Sequence, residues 1–287
     1  MEENYEFEKQ KNELIKKLDE EINLNGNPCI SISSVLELIK EPFNKIEVAT
    51  KTYNKHFNNP NSEYYQMTVE QICEKWEQKG ADSRHYGSLL DNYIGYNLNN
   101  ETDELELFNL DYDRDNDERL NGLCNSFDEF VNDYLKNHPE LIYITREKSV
   151  FYNIPGTDQY ITGRFDALFF NTLKKRFLIV DWKSSAEIEK KSTPWTTKLL
   201  GPCKDLLNLN WYTYTLQVYF YKTALENNYC KGYDVDCVIV QLPGTIVTES
   251  NKLYNVNNPA FEYNKEYMDK LFIYAHKKKI LLDKKNE

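Results

Sequence analysis

Long apolar runs are absent: nothing in the 287 residues approaches the roughly 20 consecutive apolar positions that a membrane-spanning helix needs. Residues 1–10 are polar and contain no signal-peptide core, so the sequence predicts a soluble, cytoplasmic protein with no membrane partner. Paired cysteines are absent too. Cys29, Cys73, Cys124, Cys203, Cys230 and Cys237 form no Cys-x-x-Cys pair, so neither a zinc site nor a dense disulfide framework is signalled, and free thiols are expected. An excess of basic residues is also missing: 35 Lys and Arg face 46 Asp and Glu, for a net charge of -11. A protein that coats nucleic acid non-specifically neutralises phosphates with Lys and Arg, so any nucleic-acid contact here has to be local. No internal repeat stands out.

What is present is a 40% hydrophobic content, ample for a packed core, in a chain long enough for one large domain or two small ones. Asn, Lys, Ile and Tyr have A/T-rich codons and are abundant. That bias points to an AT-rich genome such as that of a phage or other virus, which would put the protein in the host cytoplasm.

The first half reads mostly as helices. Over residues 6–21, Phe7, Leu14, Ile15 and Leu18 make a narrow apolar stripe on a solvated helix. Ser33 or Ser34 can cap a helix running to Ile39, and Thr68 with Gln71 has the capping-box spacing before Ile72, Cys73 and Trp76. A further helix covers about 83–98, and Ser126 with Glu129 forms another capping box before Phe130, Val131 and Tyr134. The acidic stretch 101–118 contains Asp111, Asp113, Asp115 and Asp117, but Asn116 and Gly122 stand where a calcium loop needs Gly and Glu, so it reads as a solvated loop.

After His138-Pro139 the pattern changes to strands, over 141–152, 160–170, 176–181 and 235–242. A helix at 211–226, apolar around most of its circumference, separates the last two, and a helix at 265–282 closes the chain ahead of a lysine-rich tail. These elements predict an α/β fold in which a mixed central sheet of order αβββαβ is embraced by an N-terminal helical region and closed by a C-terminal helix. One domain over 1–287 is expected, mainly helical over 1–140 and carrying its chemistry over 141–287.

That chemistry sits in Gly163-Arg-Phe-Asp166 and Phe177-Leu-Ile-Val-Asp181-Trp-Lys183. If 160–170 and 176–183 pair as a hairpin turning around Leu173 and Lys174, Asp166 and Asp181 are equidistant from the turn and share a face. Lys183, two residues on, points the same way. Two directly opposed carboxylates destabilise a sheet unless something neutralises them. A divalent cation does so, and carboxylate oxygens suit Mg²⁺ or Mn²⁺. Such an ion polarises a phosphoryl oxygen and lowers the pKa of water, while a nearby Lys orients the nucleophile or stabilises developing charge. The plainer alternative makes the two aspartates solvated strand ends and Lys183 a surface ion-pair partner. Against it stand the four apolar residues before Asp181, which imply a strand buried on both faces.

With these motifs in place, the sequence resembles the RecB-like and lambda-exonuclease-like branch of the PD-(D/E)XK nucleases. Gly163 to Asp166 matches the branch's Gly-x-x-Asp strand, Asp181 to Lys183 its (Asp/Glu)-x-Lys strand, and Gln217 with Tyr221 its Gln-x-x-x-Tyr helix, where the two side chains share a face. Arg146-Glu147, followed by Lys148 to Tyr152, resembles the strand that precedes the metal-binding aspartate. The resemblance spans about 33–242. It implies a catalytic set of Asp166, Asp181, Lys183, Gln217, Tyr221 and Glu147, and a Mg²⁺ or Mn²⁺ site at Asp91, Asp166, Asp181 and Trp182. It further implies a DNA substrate, exonuclease activity in replication, recombination or genome processing, and replication or recombination proteins as partners. One helix departs from the pattern. Gly87, Ser88, Asp91 and Gly95 stand where the branch has Gly-Thr-x-x-His-x-x-x-Glu, so Asp91 replaces a histidine ligand and Gly95 a glutamate. His85 lies off that register and reads as a surface residue. The alternative is a catalytically silent DNA-binding or scaffold protein on the same fold. A third possibility is a structure-specific endonuclease or a CRISPR-adaptation-like protein; the latter often carries an iron–sulfur cluster, but Cys230 and Cys237 alone do not make a cluster site, and none is expected.

The long connection between Lys183 and the Gln217 helix holds Lys190, Lys191, Trp195 and Lys198. Long loops in compact domains are commonly functional. Either these lysines track a DNA backbone while Trp195 stacks on an unpaired base, or the loop is solvated with Trp195 packed on the core.

Overall fold

The computed structural model describes residues 2–20, 29–99, 114, 116–185, 187–193, 196–244 and 254–286. Strand-forming runs of β-branched and aromatic residues pack edge to edge into one sheet. A short β1 (Cys29–Ser31) precedes β2 (Leu141–Asn153), β3 (Tyr160–Asn171), β4 (Arg176–Lys183), β5 (Val235–Gln241) and a short β6 (Asn255–Asn257). The sheet runs β1-β3-β4-β5-β6, with β2 along the other edge of β3. Pairing is antiparallel for β2 with β3, β3 with β4 and β5 with β6, and parallel for β1 with β3 and β4 with β5. The expected mixed α/β sheet is therefore present. Strands β1 and β6 were not anticipated; at three residues each they carry too little periodicity to read.

The helices are α1 (Glu2–Asp19), α2 (Ile32–Leu38), α3 (Lys45–His56), α4 (Val69–Asn99), α5 (Glu118–Glu129), α6 (Asn210–Ala224) and α7 (Lys265–Asn286). Leu14 and Leu18 of α1, Val35 of α2, Leu216 and Phe220 of α6 and Phe272 of α7 cover one face of the sheet with Ile179 and Ile239. Leu90 and Ile94 of α4 and Leu120 and Phe127 of α5 cover the other, against Ala167, Val180 and Trp182. The order helix, β2, β3, β4, α6, β5 is the αβββαβ arrangement the sequence predicts. Phe7's side chain and most of the acidic stretch 101–118, including Asp111, Asp113 and Asp115, lie outside the described residues.

Local signals resolve in physical terms. The Thr68–Gln71 capping box closes reciprocally, Gln71 Oε1 accepting from the Thr68 N–H at 2.8 Å and Thr68 Oγ1 from the Gln71 N–H at 3.3 Å. The helix it starts runs through to Asn99, merging two expected helices, because Gly80 inside it costs only about 1 kcal/mol relative to Ala. Ser31, not Ser33 or Ser34, caps α2. Ser126 caps nothing. Asp117 starts that helix by accepting from the Arg119 and Leu120 N–H groups, and Ser126 lies buried one turn from its end with its hydroxyl on the Gly122 carbonyl. Helix α3 was not anticipated; its single buried residue, Ala49, gives almost no apolar stripe.

One feature of the sheet positions the site. On its β4-side edge, β3 pairs with β1 over Tyr160, Ile161 and Thr162, and with β4 from Ala167 to Asn171. Residues 163–166 face neither strand, so the sheet forks there, and Asp166 stands where β3 and β4 part. Gly163 opens this stretch. A Cβ on it would lie 2.8 Å from Ile32 Cγ2 and from Phe220 Cε1, and 3.0 Å from Tyr221 Cε1. The glycine thus lets α6 lie directly on the strand and brings Tyr221 toward the fork. Gly163→Ala is expected to force this helix outward and to destabilise the protein by about 1–3 kcal/mol, as overpacking does. Urea denaturation checks this; a midpoint equal to wild type would show that the close approach is dispensable.

Candidate active site

The hairpin register decides which side chains meet. Ala167 pairs with Val180 and Leu168 with Ile179, so extending the register by one residue sets Asp166 opposite Asp181, as the sequence predicts. The turn that fixes it is held by Asn171, whose side-chain oxygen accepts from the Leu173 and Lys174 N–H groups at 3.1 and 2.8 Å, while Lys175 takes a left-handed φ of 53°. Val180 and Trp182 point into the α4–α5 core and Ile179 into the α6–α7 core. Strand alternation then turns Asp181 and Lys183 toward α6.

Asp181 is fully buried and Asp166 partly so. Asp166 Oδ2 accepts from the Trp182 N–H at 2.7 Å, a bond that spans the fork. Asp181 Oδ2 forms an ion pair with Lys183 Nζ at 2.6 Å, while Asp181 Oδ1 has no hydrogen-bond partner. Lys183 Nζ also reaches Gln217 Oε1 at 3.4 Å and sits 4.6 Å from the centre of the Tyr214 ring. Gln217 Nε2 donates to the Tyr221 hydroxyl at 2.9 Å. Asp166, Asp181, Lys183, Gln217 and Tyr221 thus form one connected group, joined by Tyr214, which sequence reasoning missed. Its signal was available: Tyr214 precedes Gln217 by three residues, on the same helix face.

The electrostatics show an uncompensated charge. Burial raises the Asp166 carboxyl well above the ordinary carboxylate range, and Asp181 raises it further. Burial also raises Asp181, against the pull of Lys183. Desolvation alone would lower Lys183, but Asp181 and then Asp166 outweigh it and the net shift is upward. Desolvation raises Tyr221 too, helped by Asp181, so it stays a neutral hydrogen-bonding phenol.

Glu147 enters from β2. Arg146 pairs with Ala167 and Lys148 with Phe165, which puts Glu147 level with Asp166 across the strands. Its φ of 51° is left-handed, a strained conformation for this residue type, and Arg164 pairs with its carboxylate at 2.5 Å. Burial and then Asp91 raise the Glu147 carboxyl. Asp91, expected beside Asp166 and Asp181, is bound elsewhere. Arg146 shares the sheet face of Ala167, under α4, and its Nη2 donates to the Asp91 carboxylate at 2.5 Å and to the Asp91 carbonyl at 3.0 Å. Gly95 explains the pair: a Cβ there would lie 2.3 Å from Arg146 Nη1. The Trp182 indole packs against Phe127 and Phe130 on the α4–α5 side, so only its main chain is available to the site. His85 is exposed, as expected.

Of the loop residues, Lys191 and Lys198 are exposed. Lys190 is exposed as well, and it donates to Asn257 Oδ1 at 2.5 Å and lies over the Trp211 ring at 4.5 Å, against the first turn of α6. Trp195 lies outside the described residues.

The donor set fits a hard divalent cation. Two carboxylates converge at the fork, and Asp181, fully buried, has Lys183 on Oδ2 and no hydrogen-bond partner on Oδ1. Among the described residues no three His, Cys, Asp or Glu side chains form a metal-binding group by themselves. Mg²⁺, which usually takes one or two carboxylates and completes its shell with other oxygens, suits this set.

No protein-family model matches the chain, and no curated protein matches it. Among solved structures, one described as a "Putative exonuclease" from Eubacterium rectale is 14% identical, with a TM-score of 0.45, covering 92% of this chain and 84% of its own. Among the described residues no helix is long and apolar enough to cross a membrane.

A carboxyl raised by folding favours the native state while protonated and opposes it once ionised, so its contribution falls as pH rises through the folded pKa. Asp166→Asn keeps an acceptor for the Trp182 N–H and removes the charge. In EDTA its melting temperature should match wild type below the unfolded carboxyl pKa of about 3.9 and exceed it increasingly as pH rises toward neutral. A gap that shrinks over that range would show that Asp166 is not an uncompensated charge.

Proposed function

We propose that this protein is a metal-dependent nuclease that hydrolyses DNA phosphodiester bonds at the fork between β3 and β4. The observation that carries this reading is the buried pairing of Asp166 with Asp181, two carboxylates without sufficient counter-charge, beside a single Lys183. A bound Mg²⁺, or Mn²⁺ in its place, supplies Lewis-acid polarisation of the scissile phosphate. Asp166 and Asp181 hold the ion, with the Trp182 main-chain carbonyl as the remaining protein donor. Lys183 keeps its proton because Asp181 and Asp166 favour the ammonium, and it contributes positive charge where negative charge develops on the phosphate. Gln217 and Tyr214 fix its direction, and Tyr221 fixes Gln217 in turn. Glu147, level with Asp166, borders the site and holds Arg164 near it. Exposed Lys191 and Lys198 offer phosphate contacts on an otherwise acidic chain, with Lys190 and Trp195 in the same loop. An exonuclease working in replication, recombination or genome processing is the role this reading favours, and replication or recombination proteins would be its partners.

A silent DNA-binding or scaffold protein is the second reading, favoured by the Asp91–Arg146 pair, which withdraws one expected ligand. End-labelled single- and double-stranded DNA incubated with Mg²⁺, Mn²⁺ or EDTA separates the two. Cleavage is expected with either metal and not with EDTA. Asp166→Ala, Asp181→Ala and Lys183→Ala should each lower turnover by roughly 10²–10³-fold, with effects that do not multiply, because the groups act as one unit. DNA binding without cleavage under every metal condition would establish the silent reading instead.

A further inference from the structure

Resting on the nuclease reading above, we propose that Lys190 and Trp211 hold an unpaired nucleotide next to the one that is cut, so that the strand this site takes is single-stranded DNA.

Two lysine–aromatic pairs lie side by side on α6. Lys183 Nζ sits 4.6 Å from the centre of the Tyr214 ring, inside the site, and Lys190 Nζ sits 4.5 Å from the centre of the Trp211 ring. Trp211 and Tyr214 are three residues apart, so they share a face of the helix and stand about 4.5 Å apart along its axis. That offset is close to the roughly 3.4 Å rise of one nucleotide along a strand. The Lys183 side chain is 15% exposed and that of Asp181 beside it 0%, whereas Lys190 is exposed. The row therefore runs from the buried site to the surface.

Lys190 is held in place but not neutralised. Ile188 is buried in the α6–α7 core, the Glu189 carbonyl accepts from the Trp211 N–H at 3.3 Å, and Lys190 Nζ donates to Asn257 Oδ1 at 2.5 Å. Both partners of the ammonium, an amide oxygen and a ring, are neutral. Other exposed lysines of this acidic chain, such as Lys51, Lys270 and Lys279, pair with carboxylates instead. An ammonium has three donors, so Lys190 keeps its charge and two N–H groups for an anion.

The chemistry of the row defines what it recognises. Spaced cations meet phosphates and aromatic faces meet bases, the combination by which proteins follow one strand of nucleic acid. A duplex keeps its bases stacked on one another, so only an unpaired base can reach Trp211. Stacking of a base on an aromatic ring outweighs an exposed cation–π contact. The base thus displaces the Lys190 ammonium from the indole, and the ammonium turns to the phosphate of that nucleotide. Glu189, exposed in the same loop, acts electrostatically on Tyr214 and is the carboxylate that such a strand has to pass.

Fluorescence anisotropy of a labelled single-stranded oligonucleotide and of its duplex, with the full-length protein in EDTA, tests the site. Wild type is expected to bind the single strand about fivefold or more tightly than the duplex. Trp211→Ala should weaken single-strand binding by about fivefold or more and leave duplex binding unchanged, with Trp211→Phe restoring most of the loss. Lys190→Gln should flatten the logarithmic salt dependence of single-strand binding by about 0.7, the slope of one phosphate contact. Lys190 is exposed, so this variant keeps the test open should Trp211→Ala fail to fold. Glu189→Gln should tighten single-strand binding. Equal or tighter duplex binding by wild type, an unchanged single-strand affinity in folded Trp211→Ala, an unchanged salt slope in Lys190→Gln, or weaker binding in Glu189→Gln would each overturn the proposal, while cleavage of either DNA with Mn²⁺ would keep the nuclease reading. The expected binding pattern with no cleavage under any metal would overturn the nuclease reading alone.

Discussion

The repulsion between two aspartates brought face to face by a hairpin is the constraint on which the rest of this structure turns. At an effective dielectric of 20, two like charges about 5 Å apart cost roughly 3 kcal/mol, a large fraction of the stability of an ordinary domain. Protons relieve part of it, as the upward displacement of both carboxyls shows. Lys183 relieves more, and the Trp182 N–H, aimed at Asp166 across the fork, fixes the geometry. None of these removes the charge. The metal proposed for this site would neutralise the charge that remains.

Several features make sense as supports of that pair. Asn171 closes the turn that sets the register, and a slip of one residue would send one carboxylate to the opposite face. Gly163 lets α6 lie on β3, which brings Tyr221, and through it Gln217, to Lys183. On the opposite face, Trp182 is held among Phe127, Phe130 and Tyr254, so the residue between Asp181 and Lys183 anchors the strand end against the α4–α5 core. The left-handed backbone at Glu147 lies level with the pair, where strain is most often found when a site imposes it.

Much of this was legible in the sequence because it obeys short-range rules. Strand period and turn position place Asp166, Asp181 and Lys183 on one face, and helical period places Gln217 and Tyr221 together. The Thr68–Gln71 box was legible for the same reason, both partners lying within one turn. What escaped depends on distant partners. Asp91 has the position of a ligand along its own helix, and only Arg146, fifty-five residues away in sequence, shows that it is engaged. Gly95 looked like the loss of an acidic side chain, and the guanidinium beside it accounts for the loss. Ser126 and Glu129 have capping-box spacing, but Asp117 begins the helix earlier and leaves that signal inside it.

The central claim is that Asp166 and Asp181 share a divalent cation, and anomalous scattering from a crystal of the protein soaked in Mn²⁺ tests it most directly. The account predicts an anomalous peak between the two carboxylates, with metal–oxygen distances of about 2.0–2.2 Å, on the α6 side of the sheet and next to Lys183. A map with no peak at the fork, or with its strongest peak on other residues, would contradict it.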